Sequence, residues 1–204
     1  MKIEMLALGQ QAANCYIVFD EASKEAMIID PGAGGSRIVK RVQDTGLKIK
    51  FIVLTHSHPD HIGGLREVKE ATGARVAIHS DDVRGLQRGH RWGTEGSLPL
   101  PAPDLLLKDN DSLDISNLHF SVIHTPGHTQ GGICLLIDGV LFSGDTLFYS
   151  SIGRSDMPGG NGPQLIDAIS TKLLTLPDET VVLPGHGPET TIGAERRGNP
   201  FLRG

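Results

Sequence analysis

The chain has 204 residues, of which 38% are hydrophobic and 4% aromatic, and its formal net charge is −5. That length suits one α/β domain whose core is built from Leu, Ile, Val and Ala. The mixed-sign charge leaves no basic stripe for nucleic acid, and no apolar run approaches the roughly 20 residues that a membrane span needs.

Met1–Leu8 is interrupted by Lys2 and Glu4, so it does not read as a signal peptide, and a soluble, cytoplasmic protein is expected. Residues 2–8, 15–20 and 26–30 read as strands, the last two joined by the polar turn Glu21–Glu25. Asp30-Pro31-Gly32 ends the third strand. A helix over about 35–45 should stop at Gly46, followed by a strand over 49–55. The next helix, about 62–72, carries Leu65, Val68 and Ala71 at helical spacing and ends at Gly73. Residues 75–79 read as a strand and 80–88 as a short helix.

The Gly/Pro-rich stretch 89–104 holds Trp92 beside His90 and Arg91, and reads as a loop at a pocket mouth or a clamp on the core. From 105 to 143 strand follows strand. Asn161-Gly162-Pro163 starts a helix with Leu165, Ile166, Ile169 and Leu173 on one face, and a strand over 180–183 comes last. The second half thus echoes the first. Two β-sheets packed face to face with helices outside, in a single domain over 1–204, are expected. Cys15 and Cys134 lie in apolar strand-like runs and read as buried free thiols, not as a disulfide framework.

The chemistry concentrates in Thr55-His56-Ser57-His58-Pro59-Asp60-His61, directly after the apolar run Phe51-Ile52-Val53-Leu54. A His-rich polar loop would explain the composition but not its placement at a strand end. Three further apolar strands run into turns bearing ligand types: His124-Thr125-Pro126-Gly127-His128-Thr129, Ser143-Gly144-Asp145-Thr146 and Pro184-Gly185-His186-Gly187. His124 aside, these endings supply five His and two Asp, enough for two metal ions, and neutral imidazole with carboxylate suits zinc, iron or manganese.

These motifs, in this order and with Gly144-Asp145-Thr146-Leu147-Phe148 among them, resemble those of the metallo-β-lactamase fold, and within it the glyoxalase II-like hydrolases (hydroxyacylglutathione hydrolases). The resemblance extends through Pro188-Glu189-Thr190-Thr191 and Asn199-Pro200-Phe201-Leu202. It implies an αβ/βα four-layer sandwich. It also implies that His56, His58 and His128 hold one divalent ion, that Asp60, His61 and His186 hold a second, and that Asp145 bridges them. Asp30 is suggested as a residue supporting the metal loop, although a simple turn carboxylate fits it equally well. Asp145 is a carboxylate where many true β-lactam hydrolases use cysteine, which makes antibiotic hydrolysis a poor fit.

A water bridging two such ions loses its proton easily, giving a hydroxide at neutral pH that Asp60 could orient or relieve of its proton. A thiol, with a pKa of about 8.5, leaves without a dedicated acid, whereas an amide nitrogen needs one. Thioester hydrolysis is therefore the least demanding chemistry, and the resemblance implies S-lactoylglutathione or a similar small thioester as the substrate. Full-length glyoxalase II enzymes add a C-terminal helical domain with glutathione contacts. This chain ends about 18 residues after His186, so that domain is expected to be absent. Glutathione-specific enzymes also carry a Lys followed two places on by a Tyr, where this chain has Arg154 and Asp156. Arg154 could pair with a substrate carboxylate, or with Asp156 or the backbone to shape its loop.

His79, His119 and His124 read as packed residues, with His124 the best placed of them to support a ligand ring. The alternative activity is a persulfide dioxygenase, which in the same fold uses one iron held by His56, His128 and Asp145. Those enzymes usually carry Pro-Ala-His and a following Tyr, where this chain has Pro184-Gly185-His186-Gly187. A non-catalytic scaffold would be marked by a missing ligand, and none is missing. The sequence leaves the oligomeric state open, although Asn199-Pro200-Phe201-Leu202 looks like a segment that docks.

Overall fold

The computed structural model describes residues 1–89 and 100–203. The expectations for His90, Arg91 and Trp92 lie outside them. The first sheet has six strands in sequence order: β1 (Lys2–Leu8), β2 (Ala13–Phe19), β3 (Glu25–Ile29), β4 (Lys48–Val53), β5 (Arg75–His79) and β6 (Leu105–Leu107). The hairpins β1–β2 and β2–β3 are antiparallel, and β3 to β6 run parallel. Parallel neighbours need crossovers. Helix α1 (Gly35–Thr45) provides the first, and α2 (Pro59–Ile62) with α3 (Leu65–Thr72) the second.

The second sheet contains β7 (Ser112–Ile115), β8 (Leu118–His124), β9 (Ile133–Ile137), β10 (Val140–Gly144), β13 (Val181–Pro184) and β14 (Thr190–Thr191), in the order β14-β13-β10-β9-β8-β7. Its pairings are antiparallel except for β10 beside β13. A small hairpin, β11 (Leu147–Phe148) with β12 (Ser151–Ile152), lies after β10.

Side chains alternate across each strand, and that alternation sorts the core into layers. Cys15 and Ile17 of β2 and Ala26 and Ile28 of β3 pack toward Ile38 of α1 and Leu65 and Val68 of α3. Tyr16, Val18, Met27 and Ile29, on the opposite face, meet Phe120, Val122, Leu135 and Phe142 of the second sheet. Beyond the second sheet, Leu141 and Val182 pack on Leu165 of α5 (Gly162–Ala168) and on Ile169 and Leu173 in the wider turn that continues it. The order helix, sheet, sheet, helix is the four-layer sandwich expected. Cys15 and Cys134 are both buried and free. No described helix is long and apolar enough to cross a membrane.

Several elements differ from the sequence reading. The helix expected over 62–72 is broken, with α2 ending at Ile62 and α3 starting at Leu65. Gly63 and Gly64 press against the 31–32 turn: the Gly64 amide donates to Pro31 O at 2.8 Å, and a Cβ at Gly63 would strike Gly32 O. The break therefore seats the turn after β3 against the histidine loop. Residues 80–82 form a 3₁₀ turn before α4 (Val83–Gly89). Ile166 is 40% exposed rather than sharing the buried face of Leu165, Ile169 and Leu173. The tail forms a further helix, α6 (Ile192–Gly198), and docks on its own chain, with Asn199 Nδ2 donating to Ser151 O at 3.0 Å.

Candidate metal centre

The strand ends converge at one rim of the two sheets. Thr55 to His58 follow β4, Asp60 and His61 ride on α2, and His128 lies in the β8–β9 connection. Asp145 follows β10 and His186 follows β13. Two groups result, His56–His58–His128 and Asp60–His61–His186, each with candidate ligand atoms within 4.8 Å of one another. Asp145 lies between them. Its Oδ2 is 3.5 Å from His128 Nε2, 4.0 Å from His56 Nε2 and 3.7 Å from His186 Nε2, and its Oδ1 is 3.3 Å from His61 Nε2.

The outer partners of the rings fix which nitrogen faces inward. Thr55 Oγ1 donates its one proton to Asp30 Oδ2 at 2.5 Å, so it accepts from His56 Nδ1 at 3.1 Å. His61 Nδ1 donates to Asp30 Oδ2 at 2.9 Å, His128 Nδ1 to the Arg154 carbonyl at 2.7 Å, and His186 Nδ1 to the Gln11 carbonyl at 3.1 Å. In the neutral form each of these four rings therefore turns an Nε2 lone pair into the site. The Nε2 atoms of His61 and His186 face each other at 3.2 Å. His56 Nε2, His128 Nε2 and Asp145 Oδ1 are buried with no hydrogen-bond partner among the described residues. Such orphaned atoms cost roughly 1–3 kcal/mol each. Divalent cations satisfy all of these atoms, so the residues present fit two metal ions.

The same geometry splits the titration of the metal-free rings. Burial holds His56 well below the ordinary imidazole value, with His61 and His128 adding to it, and burial followed by His128 lowers His58. Burial would also lower His61, but the Asp145 and Asp30 carboxylates outweigh it and push that ring well above. The hydrogen bond that His186 Nε2 donates to the Asp60 carboxylate raises His186. Burial opposes ionisation of Asp60, yet the His186 bond and the His61 ring bring it down to about 2. Asp145 is likewise lowered, burial being overcome chiefly by His61.

Asp30 is the central support. It adopts a left-handed φ of 51°, which turns its carboxylate back under the loop. Its Oδ1 accepts from the Thr55 amide at 2.7 Å, while Oδ2 takes Thr55 Oγ1 and His61 Nδ1. From the other side Asn14 Nδ2 and the Tyr16 hydroxyl donate to Pro184 O at 2.9 and 2.7 Å, holding the His186 turn. That turn needs Gly185, since a Cβ there would strike Asp145 Oδ1 and lie 2.8 Å from His61 Cε1.

One support was not anticipated from the sequence. Asp82, buried at 4% exposure, accepts from the Ser57 amide through Oδ2 and from the Gly131 amide through Oδ1, both at 2.8 Å. It clamps the loop of His56 and His58 to the loop of His128. Its position just after the strand β5 follows the strand-end pattern of the other site residues, and that was the available signal. Asp82→Ala strands two buried amides and is expected to destabilise the protein by about 2 kcal/mol or more in urea unfolding.

Of the two alternatives for Arg154, the contact with Asp156 is the one found, and His124 lies away from the ligand rings. The Arg154 guanidinium pairs with Asp156 through two bonds of 2.8 and 2.9 Å, and it is the Arg154 carbonyl that serves the site, by holding His128. His124 touches no ligand ring. It continues the Phe120, Val122 face of β8 to the rim, where it stacks on His79 at 4.0 Å and donates Nε2 to Gln130 O at 2.9 Å. His119 pairs with Asp114 at the surface. The metal groups open onto a cavity of about 860 Å³ whose wall includes Arg84, Phe148, Met157 and Pro158.

A four-layer sandwich with His/Asp groups at one rim of its two sheets defines a class, and the comparison with known proteins agrees. Residues 8–186 match the metallo-beta-lactamase superfamily, to which this chain belongs. Hydroxyacylglutathione hydrolase GloC of Haemophilus influenzae is 36% identical over 99% of this chain and 98% of its own length. The crystal structure of the B3 metallo-beta-lactamase BLEG-1 superposes with a TM-score of 0.91 at 37% identity, covering 100% of both chains. TTHA1623, solved in a di-iron-bound form, gives a TM-score of 0.85 at 36% identity over 98% of this chain and 100% of that one.

Proposed function

We propose that this protein is a dinuclear metal-dependent thioesterase acting on S-lactoylglutathione or a similar small thioester. The observation that carries the reading is the Asp145 carboxylate set between two ligand groups. His56, His58 and His128 would hold one ion, Asp60, His61 and His186 the other, with Asp145 shared. Two divalent ions there supply acidity to a water and polarise a carbonyl oxygen. Asp60, ionised well below neutrality, would orient that water as a hydrogen-bond acceptor. Asp30, Thr55 and the Arg154 carbonyl hold the rings of His61, His56 and His128 in these orientations.

The choice of thioester follows from the leaving group. Among the described residues, those lining the cavity include no Lys, Tyr or Cys that could protonate an amine. A thiolate leaves without one. The likeness to GloC points the same way. The di-iron form of TTHA1623 keeps iron beside zinc and manganese as a candidate metal.

One observation favours a second reading. Three of the four orphaned buried atoms among the described residues belong to His56, His128 and Asp145, the residues a single-iron persulfide dioxygenase would use, and the fourth is Thr129 Oγ1. The test is thiol release from S-lactoylglutathione by protein loaded separately with zinc, iron and manganese. Oxygen uptake with glutathione persulfide and cleavage of a chromogenic cephalosporin run alongside. Thiol release by at least one metal form is expected. Oxygen uptake by the iron form without thioester turnover would replace the thioesterase with the dioxygenase, and cephalosporin cleavage alone would favour the activity named for BLEG-1.

Metal loading should depend on pH in a way that separates the two groups. Protons compete with metal on His61 and His186, whose values lie above the ordinary 6.5, so their group loses affinity as pH falls through and below neutrality. His56 and His58 are lowered from 6.5, so protons compete with metal on these rings only at lower pH. Calorimetric zinc titrations at pH 8 and pH 6 are expected to weaken the second equivalent far more than the first. Equal weakening of both would contradict the assignment.

A further inference from the structure

We propose that Arg84 is the anion-recognition residue of this cavity, and that the thioester it accepts carries a carboxylate remote from the reacting carbonyl; this rests on the thioesterase reading above. Among the described residues, Arg84 and Arg154 are the two permanent cations that line the cavity. Arg154 was the natural candidate for a substrate carboxylate, but its guanidinium is engaged edge-on by Asp156 through two hydrogen bonds. Arg84 makes no hydrogen bond or ion pair among the described residues, although it shares the cavity wall with the ligand loop.

Its placement is fixed by packing. Gly85 lies so close to Ser57 that a Cβ there would strike Ser57 Oγ, and Leu86, at 1% exposure, anchors the same helix in the core beneath the first sheet. Helix α4 is thereby pressed onto the loop of His56 and His58, with Arg84 turned into the cavity. The neighbouring acids do not neutralise it. Both oxygens of Asp82 accept backbone amides, and neither Asp81 nor Asp82 forms an ion pair with Arg84 among the described residues. A cavity wall holding Asp81 and Asp82 would repel an anionic substrate unless a cation met it. A guanidinium is the group best suited to bind a carboxylate through paired hydrogen bonds.

The test uses the zinc-loaded protein with S-lactoylglutathione and its diethyl ester, in which the carboxylates are masked. Wild type is expected to favour the free acid by roughly tenfold in kcat/KM, through KM. Arg84→Gln should abolish that preference by raising KM for the acid, Arg84→Lys should keep part of it, and Arg154→Gln should retain it. Preference surviving in Arg84→Gln, or lost in Arg154→Gln alone, would overturn the inference. Calorimetric binding of S-methylglutathione, which has no thioester to cleave, separates this from the parent reading. If no thioester is turned over but Arg84→Gln still weakens S-methylglutathione binding about tenfold, the anion site stands and the thioesterase reading falls. Equal affinity of wild type and Arg84→Gln for that probe, or none in either, overturns the inference.

Discussion

Asp145→Ala is expected to release both metal ions and to lower thioester hydrolysis by roughly 10³-fold, the scale of losing a dominant electrostatic stabiliser of the transition state. The reason is position. Asp145 lies within 4.0 Å of Nε2 atoms belonging to both ligand groups, and it is the anion that offsets their convergence. Without it, cations in either group would meet mostly neutral imidazoles. Asp145→Asn preserves the shape and the packing against Gly185 but halves the acceptor capacity and removes the charge, so it should lose metal with little change in thermal stability. Metal content by plasma mass spectrometry on the dialysed variants, read beside thiol release, decides the matter. Full metal content with full activity in Asp145→Ala would sink the shared-ligand account.

The second large effect concerns a residue that touches no metal in the account. Asp30→Ala should weaken the Asp60–His61–His186 group for zinc by about 10–100-fold, the usual consequence of removing the outer partner of a ligand ring. It deletes the acceptor of His61 Nδ1 and frees Thr55 Oγ1, which in turn holds His56. Asp30→Asn is the informative companion. Asparagine tolerates the left-handed backbone found here, and its carbonyl can still accept from the Thr55 amide. Its amide nitrogen would face His61 Nδ1–H as a second donor, forcing the ring to the other tautomer or out of place. Asn should therefore stay closer to wild type than Ala in unfolding experiments and resemble Ala in a chelator competition for zinc. A zinc affinity unchanged in both variants would show that the ring does not depend on Asp30.

Much of this was legible because strand alternation and strand-end turns leave strong marks in a sequence. The apolar run Phe51–Leu54 ahead of His56, and the Pro-Gly-His and Gly-Asp pairs after later strands, announced both the sheets and the rim where they meet. What escaped the reading depended on contacts between segments distant in sequence. Gly63 and Gly64 looked like permissible interior helix residues, and their purpose is visible only against the 31–32 turn. Asp82 looked like the start of a helix, because its two amide partners come from loops 25 and 49 positions away. The contribution of Arg154 is a carbonyl oxygen, which every residue possesses, so no residue type could signal it. The face that His124 shares with Phe120 and Val122 can be counted along β8, and it leads to His79, not to a ligand ring.

The most direct test of the central claim is an anomalous difference map, recorded above the zinc edge from crystals grown with excess zinc near pH 8. Two peaks are expected, one enclosed by His56, His58 and His128 and one by Asp60, His61 and His186, with the Asp145 carboxylate in contact with both. A single peak on His56, His128 and Asp145, with Asp60, His61 and His186 empty under zinc excess, would contradict the dinuclear account.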